Sequence, residues 1–173
     1  YVPSALAGLP VSIKDLFDVA GQITASGSSL LAEAPAASRD AVVVERLRAA
    51  GAIVLGRTNM SEFAFSGLGL NPHYGTPLTP CAEQRIAGGS SSGAAVSVAL
   101  EMAVAGLGTD TGGSIRIPAA FCNLTGFKPS ASRVPLTGTF PLAPSLDSIG
   151  ALTRSVADSI LLDRILSGEQ LAT

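Results

Sequence analysis

The sequence predicts an α/β fold, and three stretches carry that prediction. Asp40 is placed to cap a helix over 41–50, Gly51 follows as its C-terminal stop, and Ala52-Ile53-Val54-Leu55-Gly56 then reads as a buried strand. A second helix starting near Ser91 or Ser92 and running through Met102 is followed by a small-residue strand, Ala103-Val104-Ala105-Gly106-Leu107-Gly108. Asp158–Leu166 closes the chain as an amphipathic helix, with Ile160, Leu161, Ile165 and Leu166 available for a core. Helix, glycine, strand is the repeating half-unit of α/β proteins.

The remaining elements follow in order. Gly8–Lys14 reads as a short strand after a turn, apolar at alternate positions. Residues 71–89 hold Pro72, Gly75, Pro77 and Pro80 and read as loop. A short helix is expected from Ser114 toward Phe121, and 129–150 reads as irregular. The 173 residues suffice for one domain with a real core. The chain opens at Tyr1 without Met and stops after a helix at Thr173, so 1–173 is expected to be a single segment of a longer polypeptide.

Composition narrows the functional classes. Hydrophobic residues make up 47% and charged residues 14%, which excludes a disordered chain. A mean hydropathy of +0.44 points to apolar surface that missing chain or a partner covers. The net charge of −2 offers nothing to nucleic acid or to an anionic membrane surface. The apolar stretch Ala94–Leu107 contains Ser97 and Glu101 and is too short to span a bilayer. Tyr1–Ser4 lacks the pattern of a secretory leader, and Cys81 and Cys122 make neither a disulfide framework nor a metal site. A reducing, cytoplasmic setting is expected.

Several chemistries can be weighed on residue types. Gly89-Ser90-Ser91-Ser92-Gly93 matches a nucleophile elbow with Ser91 in the central slot, but the one histidine, His73, precedes it, and such enzymes need one after it. No Gly-Lys-Ser/Thr ends either Gly-rich stretch, and the dinucleotide pattern fails at Thr111. One His, two distant Cys and scattered carboxylates make no metal set.

Lysine usage is more telling. Only Lys14 and Lys128 are lysines, whereas nine of the eleven basic residues are arginine. Lys14 ends an apolar strand, where burial would favour a neutral amine able to act as a base. The alternative is a snorkelling side chain paired with Asp15 or Asp18. Gly112-Gly113-Ser114 between a strand and a helix aims backbone N–H groups at one point, as an oxyanion requires, or simply makes a turn capped by Ser114. Gly88-Gly89-Ser90-Ser91 carries the same ambiguity.

At these residues the chain resembles the amidase signature family, from about Gly8 to about Leu166. The resemblance runs through Gly8-Leu9-Pro10-Val11-Ser12-Ile13-Lys14-Asp15-Leu16-Phe17, Gly56-Arg57-Thr58-Asn59-Met60-Ser61-Glu62-Phe63, Gly88–Gly93, Gly108–Arg116 and Ser145–Gly150. It implies a mixed sheet flanked by helices, incomplete in this chain. It further implies Lys14 as base, Ser90 as a bridging serine after a cis peptide, and Ser114, 24 positions further on, as nucleophile. The N–H groups of Thr111, Gly112, Gly113 and Ser114 would form the oxyanion hole. Ser91, Asp110 and Arg116 would support the site, and Lys128 would be structural. The implied reaction is hydrolysis of a small-molecule carboxylic amide through an acyl-enzyme, with no metal or organic cofactor. The amidase subunit of a tRNA-dependent amidotransferase is the nearest alternative, and a truncated, inactive segment the next. The resemblance is compatible with a homo-oligomer or with amidotransferase partner subunits. Ala87 departs from the proline that many members carry there.

Overall fold

A computed structural model describes residues 4–169. The expectations that fall on 1–3 and 170–173, the missing leader pattern and both ends of the segment, lie outside the described residues. Five strands form one sheet: β1 (Pro10–Lys14), β2 (Ile53–Thr58), β3 (Ala105–Asp110), β4 (Thr125–Gly126) and β5 (Ser148–Thr153). Four helices accompany them: α1 (Val42–Ala49), α2 (Ser92–Ala99), α3 (Arg116–Phe121) and α4 (Val156–Ser167). The strand order is β2-β1-β3-β5-β4. β1 runs parallel to β2 and β3, and β5 runs antiparallel to β3 and β4, so the sheet is mixed.

The alternation of a strand divides the core into two layers. Val11 and Ile13 of β1, Ala105 and Leu107 of β3, and Ile149 and Ala151 of β5 pack with Val43, Val44 and Leu47 of α1 and Leu162, Ile165 and Leu166 of α4. Leu152 joins Ala94 and Ala95 of α2, Ile115, and Ala119 of α3. On that second side Ser12 meets Ser97 of α2 through a 2.8 Å hydroxyl contact. A Cβ on Gly106 would lie 2.9 Å from the Ala94 carbonyl, and one on Gly108 would lie 2.8 Å from Ser91 Oγ. These glycines let α2 settle directly on β3. Lys14 shares the parity of Ser12 and therefore points toward the start of α2.

Several expectations change. Asp40 does not cap α1; Ala41 holds that position without a side-chain bond, while Asp40 accepts from the Ala20 N–H and pairs with Arg48. Gly51 does follow the α1 C-cap with φ of +92°. The strand read as buried, β2, lies at the sheet edge, with Ile53 54% and Leu55 56% exposed. Its apolar run cannot distinguish an edge from a central position, because strand order comes from long-range pairing. α2 ends at Ala99, where the chain turns through Glu101 at φ +59°, short of Met102. β3 extends to Asp110, and α3 starts at Arg116 rather than Ser114. The stretch read as irregular to 150 enters β5 at Ser148, and β4 was not expected. α4 begins at Val156, capped by Ser155, whose hydroxyl accepts from the Asp158 N–H. Among the described residues no helix is long and apolar enough to cross a membrane.

This layering sets different costs for similar truncations. Leu152→Ala, at a fully buried site, should cost about 2–5 kcal/mol. Leu55→Ala on the exposed edge should cost less than about 0.5 kcal/mol. Urea denaturation of both variants beside the wild type measures the difference.

Candidate active site

The parallel strands β1 and β3 end side by side, which brings Lys14 against Thr109 and Asp110. Lys14 is fully buried, and its Nζ donates to Ser90 Oγ at 2.7 Å and to Thr109 Oγ1 at 2.8 Å. Desolvation pulls its pKa from 10.5 to about 7, against the upward pull of Asp110 and Asp147. Burial dominates because an ammonium with two neutral hydroxyl partners loses far more hydration than it recovers. The snorkelling alternative is overturned. Asp15 is paired with Arg57 at 2.6 Å, and Asp18 accepts from the Thr24 hydroxyl.

Ser90 is also fully buried and follows a cis peptide after Gly89. Its position is set by backbone contacts on both sides. The Gly89 N–H donates to the Gly67 carbonyl at 2.8 Å, and the Ser61 N–H to the Ser90 carbonyl at 3.2 Å. A Cβ on Gly89 would come within 2.6 Å of the Gly69 nitrogen, so only glycine permits this approach. Ser91, the elbow candidate, is buried and turned away, its Oγ donating to the Thr109 carbonyl at 3.3 Å. Its N–H donates to the Ser114 carbonyl at 3.2 Å and so joins the two serine loops.

The loop carrying Ser114 is wound around one carboxylate. Asp110 accepts from the Gly113 N–H at 2.7 Å, the Ile115 N–H at 3.1 Å and the Arg116 N–H at 3.2 Å. The Arg116 guanidinium adds a two-pronged contact at 2.9 and 3.0 Å. Burial pushes the Asp110 pKa up, but Arg116 and these N–H groups outweigh it and hold the carboxyl below its usual range. Arg116 is thus tied to the loop. Ser114 does not cap α3, whose N-cap is Ile115. Of the four expected oxyanion donors, Gly113 differs: its N–H is already spent on Asp110. Those of Thr111, Gly112 and Ser114 have no hydrogen-bond partner among the described residues.

Two residues escaped the reading of the sequence. Thr109 supplies the second hydroxyl to Lys14, and Asp147 accepts from the Thr111 hydroxyl. Alternation along β3 offered a faint signal for Thr109; nothing local to Asp147 revealed its partner 36 positions away. His73 lies elsewhere, 3.0 Å from Glu62. Lys128 donates to the Pro129 carbonyl and the Ser148 hydroxyl.

The chain is similar to known proteins over nearly all of its length. The amidase family matches the chain over residues 1–172. A glutamyl-tRNA(Gln) amidotransferase subunit of Akkermansia muciniphila is 48% identical over 96% of this chain and 35% of its own length. Amidase 1 of Arabidopsis thaliana is 47% identical over 90% of this chain and 37% of its own. The crystal structure of native peptide amidase from Stenotrophomonas maltophilia superposes with a TM-score of 0.90 at 38% identity, over 98% of this chain and 35% of that one. The chain therefore spans about a third of the length of the relatives it matches.

The depressed Lys14 pKa makes stability depend on pH in a definite direction. Below pH 7 the amine is charged in both folded and unfolded chains, and the full cost of burying it is present. Between about 7 and 10.5 only the unfolded chain binds the proton, so stability rises with pH. Lys14→Met removes this dependence. The stability difference between wild type and variant should move in favour of the wild type by on the order of 4 kcal/mol across that window. Urea denaturation of both proteins from pH 6.5 to 10.5 measures it, and parallel profiles would contradict the shift.

Proposed function

The chain belongs to the amidase family, and from that premise we propose that it carries the reacting centre of an enzyme that hydrolyses a carboxylic amide to a carboxylate and ammonia or an amine. The observation that carries this reading is a fully buried lysine held at 2.7 Å from a buried serine, with a pKa of about 7. A neutral amine there can accept the Ser90 proton while still donating to Thr109. Ser90 in turn takes the proton of Ser114, since a hydroxyl donates and accepts at once. The Ser114 oxygen attacks the amide carbonyl. The N–H groups of Thr111, Gly112 and Ser114 receive the developing oxyanion, each such donor contributing about 3–4 kcal/mol in comparable sites. Ser90 returns the proton to the departing nitrogen, and water then releases the acyl group from Ser114.

The 1–173 segment is proposed as part of a larger amidase domain, because it spans about a third of its relatives and leaves the apolar edge of β2 exposed. A second reading, the glutamine-cleaving subunit of an amidotransferase with partner subunits, draws on the 48% identical Akkermansia muciniphila protein. Glutaminase activity raised by partner subunits and charged tRNA would favour it over hydrolysis of simple amides. Two unpaired thiols, Cys81 and Cys122, fit a cytoplasmic setting.

Labelling with a fluorophosphonate tests the nucleophile. The rate should rise about tenfold per pH unit below 7 and level off above it, as Lys14 becomes neutral. Ser90→Ala and Lys14→Arg should each lower it by about 100-fold or more. Ser114→Ala should abolish labelling; labelling that survives it would mean that another residue is the nucleophile.

A further inference from the structure

The sheet delivers a second carboxylate to the end where Lys14 and Asp110 lie. β5 runs antiparallel to β3 with Ser148 opposite Asp110, so the residue before it, Asp147, arrives beside the same strand ends. Asp147 is 8% exposed. Its carboxylate accepts from the Leu142 N–H at 3.0 Å and from the Ala143 N–H at 3.0 and 3.2 Å. It also accepts from the Thr111 hydroxyl, on the loop that leads to Ser114. The two backbone contacts belong to its own turn and would suit a purely structural role. The Thr111 contact crosses to the nucleophile loop.

The charge balance around Lys14 gives Asp147 a second part. Two carboxylates act on the buried amine, Asp110 first and Asp147 second. Asp110 is neutralised at close range by Arg116. Asp147 has no ion-pair partner at that range among the described residues. Its other anchor, Leu142, lines a cleft of about 480 Å³ together with Ser61, whose N–H holds the Ser90 carbonyl. One carboxylate thus touches the nucleophile loop and a wall of the neighbouring cleft while biasing the lysine.

We infer that Asp147 is a positioning residue, fixing Thr111 against the Leu142–Ala143 turn and supplying a buried negative charge at the strand ends where Lys14 lies. The inference rests on the reading of Ser114 as nucleophile and Lys14 as base. Asp147→Asn keeps hydrogen bonding within reach, because the amide oxygen can take the two N–H groups while its NH2 donates to a rotated Thr111 hydroxyl. It removes the charge. Thr111→Val does the reverse, keeping the charge and removing the link.

The chain contains only two lysines, so 13Cε-lysine labelling gives two resonances to follow by NMR. The Lys14 resonance should titrate near pH 7 in the wild type. Its midpoint should fall by at least about half a pH unit in Asp147→Asn. The acid limb of the fluorophosphonate rate at Ser114 should move with it. Thr111→Val should leave the midpoint in place and lower the plateau rate by about tenfold, and Thr111→Ser should restore it. A Ser114-dependent rate with an unmoved Lys14 midpoint in Asp147→Asn, or a wild-type rate in Thr111→Val, overturns the inference alone. Labelling that persists in Ser114→Ala overturns the nucleophile reading and the positioning role together.

Discussion

A single buried amine organises this molecule. Lys14 sits fully buried at the end of a central strand, and among the described residues the hydrogen-bond partners of its amine are two hydroxyls. Water would solvate an ammonium far better than Ser90 and Thr109 can, so burial lowers the amine's pKa from 10.5 to about 7, where the neutral and charged forms are equally populated. That cost is chemically useful. A neutral amine held against a serine is a base that arginine could never replace, given its far higher affinity for the proton.

Everything around the amine serves to keep it dry and in register. β1 is flanked by β2 and β3, which closes both of its edges. The glycines of β3 let α2 pack closely enough for Ser91 to bridge from Thr109 to Ser114. Gly89 permits the chain beside Gly69 to press Ser90 into place. Asp110 then winds the next loop around its own carboxylate, with Arg116 balancing the charge. The same bonds that hold the loop consume the Gly113 N–H, while those of Gly112 and Ser114 have no partner among the described residues. Support of the loop and the proposed donation to an oxyanion therefore fall to adjacent residues.

The sheet also leaves apolar side chains exposed along one edge. β2 presents Ile53 and Leu55 at an unpaired edge, a surface that a free-standing protein ordinarily blunts with charge or proline. The high mean hydropathy of the sequence reflects this edge as well as the core. Relatives about three times as long have ample chain to cover such an edge.

Local sequence determined the α/β class, most helices and strands, and Lys14 as a candidate base, whereas the choice of Ser90 and Ser114 came from the family resemblance. The physical reason is that periodicity, glycine stops and residue scarcity are written in short windows: an apolar strand ending in one of two lysines is visible without coordinates. Whether Lys14 snorkelled to Asp15 or turned inward was not legible, because the answer depended on Arg57 claiming Asp15 from another strand. Nor was the edge position of β2, the existence of β5, the loss of the Gly113 N–H, or the approach of Asp147 to Thr111. Each of these rests on pairing between residues far apart in the chain, and only the tertiary structure brings such residues together.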